Sequence, residues 1–334
     1  MQKYLVIKLG VIAFISLLLL IPLGLISGKI DERASYLAEA KRSVAQSWTS
    51  DQTVMGALIV LPYTVKKEEV VFDANLKANT TRRKIENRYR FVVPTSMNFE
   101  SEVKNDIRYK GIYKIPVYTS NIQFAGKVSV DKFNQVRKFI ENTHGFVEFK
   151  QPFLTATVSD PRGINSIPVL TWQGEEISFS PGSNLNNGIN GIHAELPSIE
   201  SVTAKHISFQ FDLSLRGMED LTFVPIGAEV EVNAKSDWPH PQFTGAFLPV
   251  SSKISDKGYQ ANWQITSFAS NIFEKITRCE NFNCQSLLSG GFGVKHIETV
   301  DIYLQSERSV KYGMLFIGLS FISFFLFEVM MKLP

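Results

Sequence analysis

Apolar residues follow three different patterns along this chain. From Leu9 to Gly28 ("LGVIAFISLLLLIPLGLISG") twenty residues carry no charge. At about 1.5 Å per helical residue, that run spans a hydrocarbon core of roughly 30 Å. A second run opens at Tyr312 ("YGMLFIGLSFISFFLF") and, read to Met331, is also long enough to span. The pattern predicts transmembrane helices over 9–28 and 311–331. A cleaved leader is the competing reading of the first, but its apolar run exceeds the usual length of about 7–15 residues, and Ala38-Glu39-Ala40 lies too far beyond it. Next, "KIDERASYLAEAKRSVAQSW" places Ile30, Ala34, Leu37, Val44, Ala45 and Trp48 at helical spacing, so an amphipathic helix over about 30–48 is expected to continue out of the membrane.

Beyond Trp48 the period drops to two. "ALIVLPYTV", "EEVVF", "RYRFVV", "IYKIPVY", "FLTATVS", "EISFS", "HISFQFDLSL" and "AEVEVNA" are short, rich in β-branched and aromatic residues, and bounded by turn formers. Ile207, Phe209, Phe211, Leu213 and Leu215 alternate with polar neighbours, which marks a strand with one buried and one wet face. One helix interrupts, over Asp131–Asn142, with Asp131 or Ser129 as N-cap. The expected fold is membrane-anchored and mainly β, with a large β-sandwich-like periplasmic region between two transmembrane α-helices. Lys3 and Lys8 keep the N-terminus cytoplasmic under the positive-inside rule. The expected organisation is a cytoplasmic 1–8, the span 9–28, a periplasmic 29–310, the span 311–331 and a cytoplasmic 332–334.

Charge changes this picture little. Thirty-five basic and 32 acidic residues are mixed along the 334, with no basic stripe, so nucleic acid is not an expected partner. The lipid bilayer is. Cys279 and Cys284 are the two cysteines; their short spacing and an oxidising compartment point to a disulfide, with free thiols as the alternative, and no second pair suggests zinc.

Candidate chemistry is sparse. Asp160-Pro161-Arg162-Gly163 puts an acid beside a base, yet Asp, Pro and Gly in that order are what a type I turn prefers. "SPGSNLNNGINGIHAELP" (Ser180–Pro197) lacks the helix start and lysine of a phosphate cradle and is expected to be a packed surface loop. His144, His193, His206, His240 and His296 are scattered, without nucleophile, metal or cofactor motif. Glu328 sits where it can reach the interface and pair with Lys332. The densest motif is Trp238-Pro239-His240-Pro241. Each proline fixes its own φ and pushes the preceding residue out of the α region, so Trp238 and His240 are held extended. It reads as backbone stiffening, with Trp238, Phe243 and Phe247 supplying apolar area and His240 a hydrogen-bonded spacer.

At these residues the chain resembles the CreD family of bacterial inner-membrane proteins. The features that carry the resemblance are "DERASY", "MGALIVLPY" (55–63), "SDPRGI" (159–164), "GIHAELP" (191–197), "SDWPHPQFTGAFLP" (236–249), "GYQANWQ" (258–264) and "FFLFE". The resemblance implies a multi-pass inner-membrane protein linked to the Cre two-component envelope response, colicin tolerance and β-lactam susceptibility, with no catalytic residues to carry over. It also implies further membrane helices, so a chain stopping at Pro334 is expected to be a truncated product or a fragment. The expected function is a non-enzymatic role in envelope integrity or stress, through an envelope protein, peptidoglycan or lipid partner. The alternative is a periplasmic hydrolase or metal-dependent enzyme using His240 or His193.

Overall fold

A computed structural model describes residues 2–73, 78–185, 188–199, 202–280, 284–288, 290–297 and 302–331. Along the chain come α1 (Gln2–Ser47), β1 (Gln52–Asp73), β2 (Ala78–Val92), β3 (Ser96–Lys110), β4 (Tyr113–Ser129) and α2 (Val130–His144). The middle runs β5 (Val147–Phe149), β6 (Phe153–Val158), a 3-10 turn (Pro161–Gly163), β7 (Val169–Trp172), β8 (Glu175–Ser178), β9 (Ser180–Pro181), β10 (Gly191–Glu195) and β11 (His206–Met218). The last third holds β12 (Asp220–Val224), β13 (Glu229–Ser236), β14 (Pro241–Gly245), β15 (Ser251–Ser255), β16 (Gly258–Thr266), α3 (Ser267–Ser270), α4 (Ile272–Glu280), α5 (Gln285–Leu288), β17 (Phe292–His296) and α6 (Ile302–Met331).

The chain divides into two compact units: 1–44 with 110–113 and 298–334, and 45–109 with 114–297. In the first, Gly10–Ser47 of α1 and Gln305–Phe327 of α6 are long and apolar enough to cross a membrane, with mean hydropathy 2.5 and 1.8. The span and the amphipathic segment expected over 9–28 and 30–48 are one continuous helix, and α6 begins nine residues before the expected 311. Leu23 of α1 lies against Gly313 of α6. The expected Glu328–Lys332 pair lies outside the residues whose side chains are described.

The second unit is a two-sheet β structure, so the chain is membrane-anchored and mainly β. One sheet runs β14-β17-β12-β1-β6-β10-β9, with β2 and β5 also on β1; the other runs β15-β16-β13-β3-β4-β11-β7-β8. Most described pairings are antiparallel, but β1 with β12 and β3 with β13 are parallel. In β11 inward residues alternate with exposed ones as its sequence demands, and burying Phe209, Phe211 or Leu213 is worth about 1.5–3 kcal/mol each. Within one sheet Phe124 of β4 stacks on its cross-strand neighbour Phe211 of β11 at 4.4 Å, and between the layers Phe99 of β3 meets Phe223 of β12 edge-on at 5.8 Å. Gly56 of β1 makes room for this, because a Cβ there would stand 2.6 Å from the Phe99 ring. The other side of β1 is covered too. Met55, Leu58 and Val60 pack with Ile272, Ile276 and Cys279 of α4, which explains why "ALIVL" is apolar without alternation.

Of the two N-cap candidates for α2 the structure selects Ser129: its hydroxyl accepts the Lys132 N–H at 3.3 Å, and its backbone is extended as an N-cap requires. Two local expectations need correction. "EISFS" is broken between β8 and β9. The expected surface loop 180–197 contains a strand, β10, whose Ile192 and Ala194 are buried while it pairs with β6 and β9.

Candidate functional site

Two regions of the β unit gather polar side chains. The first is a collar where the chain enters it from α1 and leaves it after β17. The turn at Asp160–Gly163 forms as expected, with the Gly163 N–H bonded to the Asp160 carbonyl at 3.1 Å. Its charged residues do more than solubilise it. The Arg162 guanidinium donates to the Gln46 and Ala45 carbonyls at 2.8 and 3.1 Å, satisfying acceptors that the last turn of α1 leaves open. It also grips Asp160, Nε to Oδ1 at 2.9 Å and Nη2 to Oδ2 at 2.6 Å. Arg162 therefore holds the Asp160 carboxyl below its usual range. Buried Gln52 joins the turn to β11, donating to the Asp160 and Arg216 carbonyls at 3.0 and 2.9 Å. Gly163 is required here, since a Cβ would lie 2.5 Å from the Arg216 carbonyl oxygen. Trp48 completes this side between the guanidiniums of Arg108 and Arg216, 4.5 and 4.8 Å from its ring centre.

Across the collar, Trp238-Pro239-His240-Pro241 holds the departing strand. Trp238 Nε1 donates to the Ile297 carbonyl at 3.0 Å, and the Ile297 N–H reaches the His240 carbonyl at 3.4 Å. Both X–Pro bonds are trans. Phe243 packs edge-on against Trp263 at 5.7 Å and Phe247 against Phe292 at 5.9 Å. His240 is a spacer through its main chain, while its side chain is exposed. Between the two sides, Asp51 accepts from the Asp220 N–H at 3.4 Å and Asp220 pairs with Lys295 at 3.3 Å. Asp51 keeps an exposed surface, yet desolvation by the residues around it and then the Asp220 charge push it up to about 6.

The second region is the outer face of the β15-to-β8 sheet. Register aligns Asn262, Asn233 and Glu100 across β16, β13 and β3. Asn262 Nδ2 donates to Asn233 Oδ1 at 2.6 Å, and Asn233 Nδ2 donates to Glu100 Oε1 at 2.8 Å. The next row is Gln260, Lys235 and Glu102, with Lys235 on Glu102 at 3.3 Å. Gln123 beside Asp212, and Asn121 beside Ser214, extend the polar surface over β4 and β11. These rows line a hollow of about 800 Å³, and a second of about 740 Å³ follows along the same strands. The polar lining is carboxamide, hydroxyl, carboxylate and the ammonium groups of Lys235 and Lys253, both donor and acceptor. It suits recognition of an extended polar ligand.

The structure does not unite the histidines of the enzymatic alternative. His193 on β10 and His240 before β14 have β6, β1, β12 and β17 between them, about 24 Å at 4.8 Å per strand. His193 Nδ1 lies 2.7 Å from the Gly182 carbonyl. Among the described residues no three His, Cys, Asp or Glu are grouped to hold a metal. Cys279 and Cys284 are buried and joined in a disulfide between α4 and α5.

A family model described as "Inner membrane protein CreD" matches residues 4–334. The chain belongs to the CreD family. It is 31% identical over 323 residues to the inner membrane protein CreD of Escherichia coli (strain K12), covering 94% of this chain and 66% of that relative. It therefore spans just under two thirds of the relative's length. As a CreD family member it is an inner membrane protein with transmembrane helices and a sheet-rich unit. The family description names no reaction. Sequence reasoning missed both the collar and the polar face, because each is assembled from residues far apart in the chain.

Proposed function

We propose that this CreD family member is an extracytoplasmic binding module tethered to the inner membrane, acting without catalysis in envelope integrity or stress. On this reading residues 29–310 lie in the periplasm, Lys3 and Lys8 hold the N-terminus inside, and the bridge between Cys279 and Cys284 is kept by the oxidising compartment. The observation that carries the reading is the hollow of about 800 Å³ on the outer sheet face, lined by paired donors and acceptors. An envelope protein or peptidoglycan partner, extended and polar, matches that lining better than the acyl chains of a lipid.

The test is a photocrosslinking residue placed at Gln123, inside the hollow, and separately at Glu176 of β8, exposed and outside it. Capture of one reproducible envelope component from position 123 alone is expected. Equal capture from both positions, or none from a correctly inserted protein, contradicts the assignment of this face.

A further inference from the structure

Of the five histidines, His296 is the buried one, 1% exposed at the end of β17. Its ring lies 5.5 Å from Tyr118 of β4, 5.9 Å from Tyr259 of β16, and 6.5 Å from Trp238, which meets it edge-on. Both nitrogens are engaged. The Glu219 carbonyl, 3.0 Å from Nδ1, can only accept, so Nδ1 carries the hydrogen. Nε2 is left to accept from the Tyr259 hydroxyl at 3.1 Å. The His296 N–H also bonds the Glu219 carbonyl, at 2.9 Å. This arrangement fits the neutral ring. A second ring proton would reverse the Tyr259 bond and bury a positive charge.

The groups facing the ring are few. Tyr118 and Tyr259 are held protonated by burial. Trp238 presents an edge. Glu219 offers its carbonyl from the turn between β11 and β12, while Asp237 after β13 favours the cation from a distance. Asp220 and Lys295 are paired with each other, and Asp51 is bonded to the Asp220 N–H. Burial outweighs these attractions and holds His296 down to about 4. The next residue, Ile297, is the one clasped by Trp238 and His240.

We propose that His296 is a proton-operated latch on the departing strand. Neutral, it fastens the end of β17 to the β11–β12 turn and to β16; protonated, it frees that end and the Ile297 clasp. The end of β17 and Ile297 then loosen in acidic surroundings. The folded value is depressed, so the closed form is fully favoured above the ordinary 6.5 and loses its advantage as pH falls toward about 4. Between pH 8 and pH 5 the open population rises about 30-fold, as that displacement requires.

The test is hydrogen exchange of the full chain in lipid nanodiscs at pH 8 and pH 5, corrected for intrinsic rates. Protection of the His296 and Ile297 amides is expected to fall about 30-fold, while β11 keeps its protection. In His296→Gln the pH-dependent fall should vanish. An unchanged wild type, the same fall in the variant, or equal loss throughout β11 overturns the latch. Should His296→Gln fail to fold, ring-nitrogen NMR of the histidine-labelled wild type decides. A midpoint near 4 supports the latch, whereas titration near 6.5 in the folded protein overturns it.

Discussion

Arg162→Ala should weaken the collar by a calculable amount. The side chain gives two bonds to helix-terminal carbonyls, at 2.8 and 3.1 Å, and a forked pair to Asp160, whose side chain is 9% exposed against 56% for the arginine. The arginine's exposure leaves its charge attraction to Asp160 without a share of its own to add. The two carbonyl bonds contribute about 1 kcal/mol together after allowance for that exposure, and leaving the buried carboxylate without its cation costs roughly another 0.5–1. The sum is about 1.5–2 kcal/mol. With a urea slope of about 3 kcal/mol per molar, the unfolding midpoint of the detergent-solubilised full chain falls by roughly 0.5–0.7 M. Tryptophan fluorescence suits the measurement, since Trp48 sits in the collar. Acid sharpens the test. The depressed Asp160 adds stability above its ordinary 3.8 that disappears as pH falls below it, so Arg162→Ala should also flatten the acid limb of the stability curve. Arg162→Lys should recover less than half, because an ammonium cannot reach the carbonyls and both carboxylate oxygens together. An unchanged midpoint in Arg162→Ala, or full recovery with lysine, refutes this reasoning.

Replacing Pro239 and Pro241 together by Ala should cost about 1–2 kcal/mol, through a freer unfolded chain and a looser grip on Ile297, whereas His240→Ala should stay within about 0.5. The reverse ranking in thermal unfolding counts against the backbone role. Asp51 has the opposite pH sign to His296: raised to about 6, it destabilises the fold progressively as pH climbs from 3.8. Asp51→Asn should therefore be more stable at pH 7.5 by about 1 kcal/mol, discounted for its exposure, and an unaltered slope between pH 4 and 6 would exclude this. Cys279 and Cys284 should resist thiol reagents in intact cells until reduced, and ready labelling would remove the disulfide.

Legibility differed with the distance over which each feature is assembled. The alternation in β11 and the unbroken apolar run of β1 could be read directly, since each strand carries its own burial pattern. β10 was hidden because Gly191 and its Asn-rich approach look like loop, and its partner β6 lies about 38 residues earlier. In α4 the period is present, with Ile272, Ile276 and Cys279 buried, but over nine residues it is too short to stand out. The turn at Asp160 was recognisable from local preferences. That Arg162 closes a helix ending more than 110 residues earlier was not, because nothing local records that pairing. His296 is similar: its burial comes from Tyr118, Trp238 and Tyr259, on strands that only the tertiary fold assembles. The carboxamide rows need the register of β16, β13 and β3 before Asn262, Asn233 and Glu100 become neighbours.

The most direct test of the central claim, a β unit presenting its polar hollow outside the cytoplasm, is labelling of Gln123→Cys in intact spheroplasts with a membrane-impermeant maleimide. Residue 123 is exposed within the hollow, and the native cysteines are bonded to each other. Rapid labelling without lysis is the predicted result. Labelling that requires disruption of the membrane would place the sheet on the cytoplasmic side and contradict the proposed orientation and function together.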